Sequence, residues 1–249
     1  MYHRLAELVE RDAERAGQLS RARLLVSGSA PLAAADHERI SRCCGQSIVE
    51  RYGMTETLMI SSTVQGATAP GYVGFPLPGV ELKVLDDAQT EVPHDDASIG
   101  KVLVRSPSLM TGYLGLPEAT AAAMPDGYLH TGDVGVIAPD GMLRLVGRES
   151  VDLIKSGGYR IGAGEIEATL LGHAAVAEVA VAGLPDPDLG QRIVAWVVLD
   201  DGAEVAAEEL IQHVAAELTP HKRPREIRNV DALPRNAMGK IQKQRLLHA

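Results

Sequence analysis

Tyr52-Gly53-Met54-Thr55-Glu56 gathers an aromatic ring, a residue without a side chain, a hydroxyl and a carboxylate within five consecutive positions. A ring beside glycine can cover a nucleobase, a threonine hydroxyl can donate to a phosphate oxygen, and a carboxylate can hold Mg²⁺. The same residues also fit an ordinary strand-to-loop turn with a surface glutamate, since short matches arise by chance. Two further groups stand downstream. Tyr128-Leu129-His130-Thr131-Gly132-Asp133 is followed by Gly147-Arg148, and Pro234-Arg235-Asn236-Ala237-Met238-Gly239-Lys240 lies near the end. The eight histidines are scattered, and the two cysteines, Cys43 and Cys44, are adjacent. Neighbouring cysteines suit neither a structural disulfide nor a recognisable metal pattern, and no His/Cys cluster suggests a metal site.

These groups need elements to hold them. Residues 22–52 read as strand, helix, strand. ARLLVSG is a short apolar strand, Pro31 suits a first helical turn, LAAADHERISRCC is helix-compatible, and SIVERYG is a second strand. A helix between two strands favours a parallel, right-handed crossover. Ligands in such sheets collect beyond the carboxyl ends of the strands. Gly28-Ser29-Ala30-Pro31 and Gly53-Met54-Thr55-Glu56 fall there, as two neighbouring candidate site loops.

From Gly71 to about Val146 the runs become short and alternating (Val80, Leu82, Val84; KVLVR; MLRLV), separated by Pro and Gly. That pattern predicts a small antiparallel sheet or β-barrel-like subdomain. The glycine-rich stretch 147–164 suits a junction. Beyond it EIEATLL reads as a helix, and EVAVAGL and RIVAWVVL as strands. VAAEELIQHVAAEL reads as an amphipathic helix with Ile211, Val214, Ala215 and Leu218 on one face. The expected class is α/β followed by α+β, divided near 148–152.

Composition bounds the function. The 249 residues are 45% hydrophobic with mixed charges, as for a globular protein with a real core. A net charge of −9 without a basic block disfavours a sequence-independent grip on nucleic acid. No apolar run is long enough to span a bilayer, and MYHRLAELVERDAER lacks a signal-peptide core, so a cytoplasmic protein is expected.

The ordered set of motifs resembles the acyl-CoA synthetases of the adenylate-forming (AMP-binding) superfamily, over essentially the whole chain. The resemblance implies an ATP-dependent acid–thiol ligase, with ATP, Mg²⁺ and CoA as cofactor and co-substrates. It implies a large domain portion over 1–147, a hinge at 148–152, and a small mobile domain over 153–249. Gly28, Ser29 and Ala30 would line the adenine and acyl pockets, and Tyr52, Gly53 and Met54 would lie beside adenine and the acid. Thr55 would touch the α-phosphate and Glu56 would bind Mg²⁺. Asp133 would hold both ribose hydroxyls, with Arg148 also reaching the ribose. Lys240 would approach the α-phosphate and acyl carboxylate during adenylation, and Gly157 and Gly158 would face the pantetheine channel during thioesterification. GRESVDLIKSGG holds one residue more between Gly147 and the glycine pair than many relatives, which leaves the pivot open among Glu149, Ser150 and Val151.

RYGMTETLM, DLIKSGGYRIGAGEIE and PDPDLGQRIVAWVV look most like the malonyl-CoA or methylmalonyl-CoA synthetases. Fatty and aryl acids stay open as alternatives. No segment resembles the family's phosphate-gripping loop, and Met1-Tyr2-His3-Arg4 matches a point inside the large domain. The expectation is therefore a C-terminal half (a truncated gene product, one chain of a split enzyme, or a fragment) that is active only with its missing N-terminal half, or else a non-catalytic remnant binding nucleotide or CoA.

Overall fold

The computed structural model describes residues 1–28, 32–64, 70–236 and 239–247. Two compact units follow one another, Met1–Leu145 and Val146–Ala249.

In the first unit, helices α1 (Tyr2–Arg11) and α2 (Ala13–Leu19) precede strand β1 (Leu25–Ser27), helix α3 (Ala34–Cys44) and strand β2 (Ile48–Met54). Tyr2, Leu5, Ala6 and Val9 recur at helical spacing, so α1 has an apolar face to lay on α3. The Asp12 carboxylate accepts from the Arg15 backbone N–H at 3.1 Å and starts α2. Neither helix was anticipated, because charged side chains dominate that stretch. The expected parallel crossover is present: β1 pairs β2 in parallel, with Leu25 opposite Ile48 and Ser27 opposite Glu50. Ala6, Val9, Ile40 and Ile48 are fully or almost fully buried beneath it.

β2 then turns back through 55–57 into β3 (Leu58–Ser62), which pairs it antiparallel, and β4 (Phe75–Pro76) follows β3. Tyr52-Gly53-Met54 thus lies within a strand and only Thr55 and Glu56 lie in the turn, whereas the sequence placed the loop from Gly53 onward.

A second sheet in the same unit has the order β5-β6-β7-β8: β5 (Glu81–Leu85), β6 (Gly100–Arg105), β7 (Leu129–Ile137) and β8 (Leu143–Arg148). Helix α4 (Pro117–Ala123) joins β6 to β7. The antiparallel pairing is as expected, but the sheet is open rather than barrel-like. Four strands are too few to close around a filled interior. The margins are covered instead: the chain returning through Glu91 and Val92 bonds to the β5 residues Leu85 and Val84, and Gly74 bridges Leu143. Tyr52 and Ile60 from the first sheet pack with Val84, Val102, Val104 and Leu143 from the second, so one core is shared by both sheets.

The second unit opens with the hairpin β9 (Leu153–Ser156) and β10 (Tyr159–Gly162), then helix α5 (Ala163–Leu171). The long hairpin β11 (Val176–Asp186) and β12 (Gly190–Leu199) follows, with helix α6 (Ala207–Glu217), strand β13 (Glu226–Asn229) and helix α7 (Lys243–Leu246) after it. The sheet order is β10-β9-β12-β11, with β13 parallel to β12. Side chains alternate between two cores. Val179, Val181, Ile193 and Val197 face α5 and α6, while Ala180, Ala182, Val194 and Trp196 pack with Leu233 and Leu246. Burial on both faces explains why EVAVAGL and RIVAWVVL read as continuous apolar runs. On α6 the buried stripe is Leu210 and Val214, with Ile211, Ala215 and Leu218 only half-buried at its margins.

Candidate functional site

Strand β2 delivers Tyr52 to the core between the sheets, and β7 delivers Asp133 to the same place. The Tyr52 hydroxyl donates to Asp133 Oδ2 at 2.6 Å, across 81 positions of sequence. Both residues are buried, at 7% and 9% exposure. A buried carboxylate is costly unless it accepts hydrogen bonds, and this contact supplies one. Thr131, two residues earlier, donates to the Val102 carbonyl at 2.8 Å and accepts from the Asp133 backbone N–H at 3.1 Å, which fixes the strand locally.

Gly53 is required by geometry. A Cβ there would stand 2.2 Å from the Leu58 carbonyl oxygen, so a side chain would push β3 away from β2. At the end of β1, a Cβ on Gly28 would meet only the Arg51 carbonyl, at 3.6 Å, which is ordinary contact. Gly28 therefore ends its strand beside β2, as the crossover requires. Ser29 and Ala30 lie outside the described residues.

Thr55 is exposed at the turn, and Glu56 is half-buried beside it. The segment 106–113 straps this turn. Ser108 Oγ donates to the Thr57 carbonyl at 2.7 Å, the Met110 N–H donates to the Glu56 carbonyl at 2.8 Å, and the Tyr113 hydroxyl donates to Glu56 Oε1 at 3.1 Å. Burial, with the Glu56 carboxylate beside it, raises the Tyr113 pKa. Nothing in the local pattern signals this contact, since its partners stand 57 positions apart.

Among the described residues, no group of three or more His, Cys, Asp or Glu is placed to hold a metal ion. An ion at Glu56 would then complete its shell from water and phosphate oxygens. That fits Mg²⁺, which keeps several waters and takes one or two carboxylates together with substrate phosphates.

The remaining candidates belong to the second unit. Ser156 and Tyr159 pair across β9 and β10, with Gly157 and Gly158 between them at φ +57° and +83°. Two successive positive φ values define a two-residue hairpin that glycine adopts without strain. The turn leaves bare backbone at its tip. Tyr159 stacks on His221 beside it, with ring centroids 4.1 Å apart.

Lys240 is exposed on a second hairpin, closed by the Arg235–Ile241 bridge and by the Asn236 N–H donating to the Lys240 carbonyl at 2.9 Å. Asn236 Oδ1 accepts from the Lys240 N–H at 2.9 Å. Ala237 and Met238 of the same frame lie outside the described residues. Three residues on, Lys243 is half-buried between two carboxylates: it pairs with Glu167 Oε1 at 2.7 Å and with Asp152. Burial alone would lower the Lys243 pKa, but the two negative charges outweigh it and the net direction is up. Asp152 also accepts from the Arg148 backbone N–H at 2.8 Å, while the Arg148 side chain is exposed. The 148–152 turn and the base of the Lys240 hairpin are therefore tied to one ion cluster.

With this geometry in hand, comparison with known proteins is decisive. Residues 1–114 match the AMP-binding enzyme model, and residues 165–240 match that of the AMP-binding enzyme C-terminal domain. The chain belongs to the AMP-binding enzyme family. It is 40% identical to a malonate–CoA ligase of Arabidopsis thaliana, over 90% of this chain and 38% of that protein. The crystal structure of ATP-bound MatB from Rhodopseudomonas palustris is 34% identical and superposes with a TM-score of 0.83, covering 100% of this chain and 53% of MatB. A malonyl-CoA ligase product complex with methylmalonyl-CoA and AMP is 55% identical, with a TM-score of 0.56 over 94% of this chain and 51% of the other. The chain spans 38% to 53% of the length of these relatives. No helix among the described residues is long and apolar enough to cross a membrane.

Proposed function

We propose that this chain carries acid–CoA ligase chemistry, with malonate or methylmalonate as the acid, in the cytoplasm. The carrying observation is the Tyr52–Asp133 contact, which brings a ring from the strand of the parallel crossover against a buried carboxylate. The similarity to a malonate–CoA ligase and to a methylmalonyl-CoA complex supports the choice of acid.

In this reading Tyr52 covers the adenine, Asp133 accepts from the ribose hydroxyls, and Thr55 donates to the α-phosphate. Glu56 holds Mg²⁺, which neutralises phosphate charge when bound. A carboxylate oxygen of the acid attacks the α-phosphorus and pyrophosphate leaves, so negative charge builds where anions meet. Lys240 supplies a preorganised cation there; loss of one such group typically costs about 3 kcal/mol of barrier. The CoA sulfur then attacks the acyl carbon, AMP leaves and the thiol proton goes to solvent. Gly157 and Gly158 admit the pantetheine close to the backbone, and residues 148–152 act as the hinge between the two steps. Arg148, exposed at that hinge, reaches the ribose. Activity also needs a β,γ-phosphate grip, which none of these residues supplies.

The test measures pyrophosphate release and CoA-thioester formation with malonate, methylmalonate, fatty and aryl acids, with and without an added N-terminal half. Thioester from a dicarboxylate only when the halves are combined, lost in Lys240→Ala by about 10²–10³-fold, is the expected result. Full turnover by the chain alone would overturn the need for a partner half. Nucleotide binding without turnover on any acid would leave the non-catalytic reading in its place.

A further inference from the structure

The strap over the 55–57 turn does more than close a loop. Its three bonds reach three different groups of that turn: the Thr57 carbonyl, the Glu56 carbonyl and the Glu56 carboxylate. Two of them hold backbone. The third, from Tyr113, reaches the side chain that the proposed function assigns to Mg²⁺.

Tyr113 is itself firmly placed. Its backbone N–H donates to Thr120 Oγ1 at 2.9 Å, and that hydroxyl also donates to the Leu116 carbonyl at the start of α4. Gly112 has φ +154°, and a Cβ there would stand 2.9 Å from the Thr120 side chain, so glycine lets the strap lie against α4. The ring thus projects from an anchored backbone, with its hydroxyl 3.1 Å from Glu56 Oε1.

A single carboxylate on an exposed turn can rotate among several orientations. A phenol fixed on one oxygen removes most of them and presents the other oxygen in one direction. Partners of this kind, which orient a ligand without touching the metal, commonly change metal affinity by about 10–100-fold. We infer that Tyr113 is a positioning residue that orients the Glu56 carboxylate for Mg²⁺ in the nucleotide complex. The inference rests on the proposed role of Glu56.

Calorimetric titration with ATP, run with the N-terminal half added as in the turnover test, tests it, first in EDTA and then at rising Mg²⁺. Tyr113→Phe keeps the ring and removes only the donor. The expected result is an unchanged Mg²⁺-free ATP affinity and an about tenfold higher Mg²⁺ concentration at half-effect. Ser108→Ala, which loosens the strap at Thr57 without touching the carboxylate, should leave the Mg²⁺ midpoint at the wild-type value. A Tyr113→Phe midpoint equal to wild type, or an equal loss of ATP affinity with and without Mg²⁺, overturns the inference alone. A wild-type chain that binds no ATP, or binds it indifferently to Mg²⁺, overturns it together with the proposed role of Glu56.

Discussion

Glu50 lies on β2, two residues before Tyr52, and is 5% exposed. Burial pushes its carboxyl up to about 7, against the favourable hydrogen bond from the Gly71 N–H at 3.2 Å. The ordinary value is 4.5. Between those two pH values the folded chain holds a proton that the unfolded chain has lost, so raising pH through this window destabilises the fold. A separation of about 2.5, at roughly 1.4 kcal/mol per pH unit, makes the loss about 3 kcal/mol by pH 8. Glu50→Gln keeps the shape and an acceptor for Gly71 but cannot ionise. It should match the wild type near pH 4 and exceed it by about 3 kcal/mol at pH 8. The only tryptophan, Trp196, sits in the second unit, so fluorescence would report the wrong unit. Hydrogen exchange of peptides covering β2, in a urea series with both proteins at the same pH, reads the first unit directly. A stability difference that stays flat from pH 4 to 8, or grows on acidification, would refute the reasoning.

Other perturbations follow from single contacts. Gly53→Ala drives a Cβ to within 2.2 Å of the Leu58 carbonyl, so β2–β3 should part and the first unit lose about 2 kcal/mol; protection retained over residues 48–62 would contradict this. Lys243→Met leaves Asp152 and Glu167 facing each other without their cation. The second unit should lose about 3 kcal/mol in urea unfolding followed by Trp196 fluorescence, with Lys243→Arg restoring most of it. An unchanged midpoint would show that the cluster contributes nothing.

The legible parts were those that rest on local pattern. The strand–helix–strand unit announced itself through short apolar runs flanking a helix-compatible stretch, and β11 and β12 through continuous apolar sequence. What local pattern could not show was contact at a distance. α1 and α2 were hidden because their apolar faces carry only a few residues among many charges. Whether the second sheet closes stayed open, since alternation defines strands but not how many pair or where the margins are covered. The Tyr113–Glu56 bond was missed because 57 positions separate its partners.

By itself the sequence carried the resemblance to the family and the candidate residues: Tyr52, Thr55, Glu56, Asp133, Arg148 and Lys240 stand in motifs whose order is a covalent fact. Only the tertiary structure decided which of them meet. Tyr52 reaches Asp133 because two sheets share one core, and Glu56 is gripped because a strap anchored on α4 passes over its turn. Burial, and with it the raised carboxyl of Glu50, is likewise a property of packing, since no residue is desolvated by its own neighbours in sequence alone.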